Sequence, residues 1–136
     1  MLKKKSNLIP YRLHNDSLEF YLQLRSKDAK QYPDSWGFWG GGIEGDETPA
    51  QAMLREIQEE LEFVPQDYKF FKKIEDPIGN EKHLYHARVY EDFEDKIVIH
   101  EGQGGKFFTR KDTEKEEKMK HKDKQALLEL FDIINI

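Results

Sequence analysis

The sequence contains no cysteine, which excludes disulfide bonds and thiolate metal sites and fits a reducing compartment, so we expect a cytoplasmic protein. It also lacks an apolar run long enough for a signal peptide or a transmembrane helix, and we therefore expect no membrane partner. Basic residues are outnumbered, 22 against 27 acidic ones, and the formal net charge is −5. This balance argues against a chain that grips the nucleic-acid backbone.

Acidic residues and glycines are instead concentrated between Gly40 and Phe63. This segment predicts a helix that begins after Thr48, whose side chain can act as N-cap, with Pro49 in the first turn, where a missing N–H costs nothing. The helix should run to about Leu61, because no glycine or further proline interrupts it. Apolar residues recur at helical spacing and form one stripe for the core: Ala50, Leu54, Ile57 and Leu61.

Four glutamates crowd the last turns of this predicted helix. Glu56 is three residues from Glu59 and four from Glu60, so these carboxylates share a face beside the apolar stripe. Like charges at this spacing repel by roughly 0.2–0.5 kcal/mol per pair. A divalent cation would offset that cost, and hard oxygen ligands favour Mg²⁺ or Mn²⁺ over zinc. A solvated acidic face is the alternative.

Three consecutive glycines, Gly40, Gly41 and Gly42, precede the helix and follow the aromatic stretch 36–39, which is typical of a short buried strand. Glycine lets a backbone approach a ligand closely, with its carbonyl toward a metal or its N–H toward a phosphate. Gly41 and Gly42 are therefore candidates for contact with a phosphate group. The alternative is a flexible turn between strand and helix.

The whole segment resembles the signature motif of the Nudix hydrolase family, G-x5-E-x7-R-E-U-x-E-E-x-G-U with U a bulky apolar residue, over residues 41–63. One position departs from the motif, since Glu62 stands where the family usually has a glycine that ends the helix. The departure leaves open where the helix ends. The matching residues are Gly41, Glu47, Arg55, Glu56, Ile57, Glu59, Glu60 and Phe63.

This resemblance implies hydrolysis of a pyrophosphate linkage in a nucleoside diphosphate joined to another group, with Mg²⁺ or Mn²⁺ as cofactor. A pyrophosphate is negatively charged, so it can enter an acidic site only if cations bridge it. Arg55 would pair with neighbouring carboxylates, Glu47 among them, and fix their rotamers. Glu56 could instead orient or deprotonate the attacking water. The implied metal ligands are Glu56, Glu59, Glu60 and the backbone carbonyl of Gly40.

Two residues outside the motif resemble functional positions of the family. Glu101, in the glycine-rich loop 100–105, is similar to a glutamate that related enzymes bring to the metals as a ligand or general base. The alternative for Glu101 is a solvated acid in a turn. Arg25, at the end of the second predicted strand, is similar to a basic residue that contacts phosphate or base, the alternative being an exposed arginine.

The rest of the chain indicates an α/β fold, and the resemblance implies the α/β/α Nudix sandwich with a mixed sheet. We expect one domain over residues 1–136, large enough to bury about two-thirds of its unfolded surface. Besides the 36–39 strand and the central helix, patterning predicts strands at 6–13, 18–24, 68–74, 82–90, 97–99 and 106–109, and a helix at 123–134.

The residues do not determine the substrate. A short chain with a loop of the Glu101 type favours a nucleoside triphosphate, which would give a nucleoside monophosphate and pyrophosphate. The alternatives are a nucleotide sugar or dinucleoside polyphosphate, an RNA 5′ end, and a non-catalytic binding module. Net charge disfavours RNA, and the intact motif glutamates disfavour a module without catalysis. We expect a small-molecule nucleotide as partner, with monomer and homodimer both open.

Overall fold

A computed structural model describes residues 3–134, which form a seven-stranded mixed sheet with helices packed on both faces. Within these residues, no helix combines the length and the apolar character that a membrane crossing requires. The elements in chain order are β1 (Lys3–His14), β2 (Ser17–Leu24), β3 (Trp36–Gly37), β4 (Trp39–Gly42), α1 (Pro49–Leu61), β5 (Lys69–Glu75), β6 (Asn80–Arg88), α2 (Phe93–Lys96), β7 (Gly104–Phe108), α3 (Arg110–Lys115) and α4 (His121–Ile133).

Strand β1 organises the sheet. It pairs with β2 through a tight turn in which Asn15 and Asp16 both have positive φ, 52° and 63°, as a type I′ hairpin requires. Its first half lies between β4, which runs antiparallel to it, and β6, which runs parallel. The parallel pair needs a long crossover, and α1 lies within it. The predicted mixed sheet is therefore confirmed.

Strand β1 contributes side chains to two hydrophobic cores, one on each face of the sheet, because successive side chains of a strand point to opposite faces. Leu8 packs toward α1, and Ile9 packs toward α4. Within α1, Ile57 and Leu61 are fully buried as predicted, and Ala50 and Leu54 are partly buried beside them. The predicted α/β/α arrangement results from these two apolar layers. Representative members are Leu8, Trp39, Met53 and Ile57 on one face and Ile9, Phe20, Leu84, Leu127 and Leu130 on the other.

Helix α1 begins and ends where the sequence predicted. Thr48 accepts a hydrogen bond from Gln51 N, and the Gln51 side chain accepts one from Thr48 N, which completes a capping box. At the other end, Glu62 adopts the left-handed conformation with φ of 52°. The helix thus ends without the usual glycine, at a local conformational cost of about 1 kcal/mol.

The predicted strand at 97–99 is wrong. This segment follows the short helix α2 and pairs with no strand. Its N–H groups instead reach the last carbonyls of α1: Val98 N donates to Leu61 O at 3.0 Å, and His100 N donates to Glu60 O at 2.8 Å. Those carbonyls have no partner inside the helix, which explains why apolar residues typical of a strand serve here as a helix cap.

Candidate active site

The site begins where the glycine run of β4 meets α1. Gly40 N donates to Glu60 Oε1 at 2.9 Å, and Glu60 is only 3% exposed. A Cβ on Gly41 would lie 2.6 Å from the Glu56 carboxyl carbon, and one on Gly40 would lie 2.2 Å from Ser6 O. Gly40 and Gly41 are therefore required, because strand β1 and the Glu56 carboxylate occupy the space that their side chains would fill.

Arg55 ties the loop after β4 to the helix. Its Nε and Nη2 donate to the two carboxylate oxygens of Glu47 at 2.7 and 2.9 Å, a bidentate pair that lowers the pKa of Glu47. Nη2 also donates to Gly42 O at 2.9 Å, and Nη1 donates to Glu56 Oε1 at 3.0 Å. The predicted pairing of Arg55 with Glu47 is therefore present in the structure.

Glu60 and Glu101 come together although they lie on different elements. Burial raises the pKa of Glu60, and so do its side-chain hydrogen bond with Glu101 and the repulsion between the two carboxylates. Burial also raises the pKa of Glu56, partly countered by Arg55. Without a cation, Glu60 therefore retains its proton to higher pH than an exposed glutamate does.

Glu59 is closer to the solvent than Glu56 and Glu60 are. Its side chain is 59% exposed and reaches Arg55 Nη1 at 3.4 Å, on the solvent side of the buried pair. Within residues 3–134, no three His, Cys, Asp or Glu side chains are arranged closely enough to hold a metal ion. The chemistry of the donor set still suits a hard divalent cation, since buried carboxylates with raised pKa values exchange their proton for the metal. We call Glu56, Glu59, Glu60 and Glu101 the carboxylate cluster.

The loop that carries Glu101 is seated on the end of β2. Gln23 Nε2 donates to Glu101 O at 3.1 Å, and a Cβ on Gly102 would lie 2.7 Å from Leu24 O. Gly102 also has a φ of 86°, which favours glycine. Arg25 and Glu101 line one small cavity beside Gln23. The structure thus places both residues predicted outside the motif in a common cleft.

Sequence reasoning missed two positioning residues. Gln23 is buried in β2 and supports the Glu101 loop, while Ser6 Oγ donates to Pro49 O at 2.6 Å and anchors the start of α1 to β1. Both are buried polar residues at strand positions where an apolar side chain is usual. That irregularity is the signal that could have found them, since a buried polar side chain needs a hydrogen-bond partner.

Residues 9–131 match the family model of the NUDIX domain, so the chain belongs to this family and the resemblance of its motif is confirmed. The chain is 38% identical over 72 residues to the 8-oxo-dGTP diphosphatase of Escherichia coli (strain K12), covering 53% of this chain and 55% of that protein. It is 46% identical over 44 residues to the RNA pyrophosphohydrolase of a Nitratiruptor species, covering 32% of this chain and 26% of that protein.

These alignments span about half of the first relative and about a quarter of the second. Among solved structures, the chain is similar to the NUDIX domain of Shewanella oneidensis NrtR complexed with ADP ribose. That match has a TM-score of 0.75 and 21% identity, and it covers 95% of this chain and 85% of the other. The similarity confirms the Nudix fold.

Proposed function

We propose that the protein is a Nudix pyrophosphohydrolase that converts a nucleoside triphosphate to a nucleoside monophosphate and pyrophosphate with Mg²⁺ or Mn²⁺. The observation that carries this proposal is that Glu60 and Glu56 lie against the backbone of Gly40 and Gly41 in β4, with Glu101 beside Glu60. Such a concentration of half-buried carboxylates is unfavourable by itself and suits a cation-bridged polyphosphate.

The candidate metal ligands are Glu56, Glu60, the more exposed Glu59 and the backbone carbonyl of Gly40, while Glu101 lies beside Glu60. A bound Mg²⁺ or Mn²⁺ would neutralise phosphate charge, polarise the phosphoryl oxygen and lower the pKa of water. Arg55 has a positioning role, because it holds Glu56 at 3.0 Å while it is itself fixed by Glu47. Arg25 lines the small cavity beside Glu101, and we propose that Arg25 and the backbone of Gly41 and Gly42 contact the substrate phosphates.

Glu101 is the better-placed general base. One oxygen of Glu56 already accepts a hydrogen bond from Arg55, whereas Glu101 is exposed on a loop and lines the small cavity beside Gln23. In the hydrolytic step a water oxygen forms a bond to phosphorus, the bridging P–O bond breaks, and the water proton moves to the Glu101 carboxylate. Pyrophosphate leaves with the electron pair of the broken bond.

The choice of a nucleoside triphosphate is supported by the E. coli relative, which is named for such a substrate and aligns with 53% of this chain. RNA 5′ ends are the second candidate because another relative is named for that activity. The formal net charge of −5 disfavours a long RNA contact.

A substrate panel tests the proposal. Nucleoside triphosphates, nucleotide sugars, dinucleoside polyphosphates and a 5′-triphosphorylated RNA are incubated with Mg²⁺ or Mn²⁺, and products are resolved by ³¹P NMR. We expect a nucleoside triphosphate to give monophosphate and pyrophosphate, and excess chelator to abolish the reaction. Release of orthophosphate alone from triphosphates, or a folded protein that cleaves no member of the panel, would contradict it.

A further inference from the structure

Four basic side chains come together on the sheet face opposite α1. Lys5 of β1 and Lys82 of β6 are direct neighbours in the parallel register, on the face that packs toward α4. Lys120 immediately precedes α4, and Arg25 immediately follows β2. The charges of Lys82 and Arg25 act on both Lys5 and Lys120. We call these four residues the cationic recess.

Carboxylates balance only part of this charge. Asp123 is fully buried and lies 3.1 Å from Lys82 Nζ and 3.9 Å from Lys120 Nζ. Asp76 accepts hydrogen bonds from Asn80 N and Asn80 Nδ2 and makes no ion pair with a lysine of the recess. In the part of the chain that the structure describes, Lys5 has no ion-pair partner. Four cationic groups thus face two acids.

The excess positive charge of the recess is partly buried and therefore poorly solvated. Burial and the charge of Lys82 lower the pKa of Lys120 to about 7, and burial and the same neighbour lower the pKa of Lys5. Lys82 itself is 4% exposed. An anion seated among these ammonium groups would remove the repulsion, as a cation would for the carboxylate cluster on the other face of the sheet.

The loop 25–35 covers the recess. Arg25 Nε donates to Gln31 O at 3.1 Å, and Asn80 Nδ2 donates to Gln31 Oε1 at 3.4 Å. The Tyr32 ring lies over Lys120, with Nζ 4.0 Å from its centroid, and Tyr32 has a positive φ of 50°. A non-glycine residue held in this conformation is strained, and such strain concentrates where a loop contacts a ligand.

A second, independent feature indicates a ligand. Asn7 lies two residues beyond Lys5 on the same face and is 6% exposed, yet within the described residues its Oδ1 atom has no hydrogen-bond donor. Its Nδ2 group is already used, since it donates to Trp39 O at 3.3 Å. A buried acceptor without a donor is costly, and a hydroxyl group of a ligand would satisfy it.

We propose that the cationic recess binds a second anionic group of the substrate, a phosphate ester on the ribose of the nucleotide whose pyrophosphate lies at the carboxylate cluster. This inference rests on the proposed function for the placement of the pyrophosphate. Arg25 belongs to the recess and also lines the cavity with Glu101, so it lies between the two regions that a bound nucleotide would span. A phosphate monoester carries nearly two negative charges and matches the excess of the recess, while Asn7 Oδ1 suits a ribose hydroxyl.

Binding of nucleotides that contain no pyrophosphate tests the inference separately from turnover. Calorimetry in Mg²⁺ compares AMP with adenosine 3′,5′-bisphosphate, adenosine 2′,5′-bisphosphate and the dinucleotide pApA, whose internal phosphate is a diester. We expect at least one ribose-phosphorylated ligand to bind about tenfold or more tightly than AMP. If a bisphosphate binds more tightly, the ribose phosphate in the recess is a free monoester. If pApA binds more tightly, that phosphate belongs to the 5′ end of an oligonucleotide.

Substitutions of single lysines test whether the recess causes the tighter binding of ribose-phosphorylated ligands. Lys5→Met should reduce the advantage over AMP to less than about threefold, because it removes a charge that has no ion-pair partner within residues 3–134. Lys4→Met is the matched control, since Lys4 is exposed on the opposite face of the same strand and should leave the advantage intact. Lys120→Met provides a second variant if Lys5→Met does not fold. Equal affinity for all four ligands, or an advantage that persists in both recess variants, would overturn the inference whether or not a pyrophosphate is hydrolysed.

Discussion

The carboxylate cluster and the cationic recess lie on opposite faces of the same sheet, and each collects charge of one sign. In the cluster, one helix supplies three of the four acids and Arg55 is the main counter-charge. In the recess, the basic residues come from β1, the end of β2, β6 and the residue before α4, with Asp123 as the main counter-charge. The comparison indicates that neither region is electrostatically complete without a ligand, and that the ligands have opposite charge.

The largest expected effect comes from removing one charge of the cluster. Glu60→Gln keeps the size of the side chain and its hydrogen bond from Gly40, but cannot supply a carboxylate to a cation. We expect turnover to fall by about a thousandfold or more, roughly 4 kcal/mol of barrier. Steady-state kinetics on the best substrate measures this. Wild-type turnover in Glu60→Gln would assign the cluster to structure alone.

The counter-charge of the carboxylate cluster is the guanidinium group of Arg55, which contacts several carboxylates at once. The main counter-charge of the cationic recess is the single carboxylate of Asp123. Lysine cannot make the paired contacts of 2.7 and 2.9 Å with Glu47 while also holding Glu56. Arg55→Lys should therefore lower kcat by roughly ten- to a hundredfold and change KM little, because Arg55 acts through the carboxylates. A variant with normal kcat and a raised KM would instead place Arg55 in contact with substrate.

Glu101 tests whether the loop after α2 belongs to the cluster. Glu101→Gln should lower turnover by at least about tenfold, roughly 1.4 kcal/mol, and leave the free energy of unfolding nearly unchanged. Glu101→Asp keeps the charge but moves it back by one methylene, so a base or ligand should suffer in both variants. Wild-type rates in both, at saturating Mg²⁺, would reduce Glu101 to a solvated acid.

The two regions should respond to pH in opposite directions in the metal-free protein. The raised pKa of Glu60 means that the folded state keeps a proton that the unfolded chain releases above about pH 4.5. Its contribution to stability is present below that pH and is lost as the pH rises. The lowered pKa of Lys120, about 7, has the reverse sign: stability is gained as the pH rises from about 7 to 10.5.

Thermal unfolding of the metal-free protein in a chelator, measured from about pH 4.5 to 10.5, tests both predicted pH dependences of stability. Glu60→Gln should remove part of the decline in melting temperature with rising pH, and Lys120→Met should remove part of the gain above neutral pH. If both variants parallel the wild type at every pH, neither group titrates as the structure indicates.

The smallest expected effect concerns a residue that belongs to neither region. Glu62→Gly relieves the left-handed conformation at the end of α1 and loses only an exposed contact with His100. We expect the free energy of unfolding to rise by up to about 1 kcal/mol, as measured by urea denaturation. Turnover and nucleotide affinity should not change. Destabilisation by Glu62→Gly would show that the His100 contact outweighs the backbone strain.

The sequence predicted the cluster's helix far better than the recess, for a physical reason. Thr48 and Pro49 mark the start of α1 locally, and the spacing of the glutamates places them on one face without knowledge of the rest of the chain. Lys5 and Lys82 become neighbours only through the register of a parallel pair, which depends on tertiary packing. The segment 97–99 was mispredicted for the same reason, since its role also depends on tertiary packing: its backbone caps the end of α1 and does not extend the sheet.

The account depends most on the proton that the raised pKa of Glu60 retains, which a divalent cation would displace. Calorimetric titration of the metal-free protein with Mg²⁺ or Mn²⁺ near neutral pH, in buffers of different ionisation enthalpy, measures that proton directly. We predict saturable binding with release of about one proton in the wild type and little or no release in Glu60→Gln. Metal binding whose heat is independent of the buffer, or no binding at all, would contradict the assignment of the carboxylate cluster as a cation site.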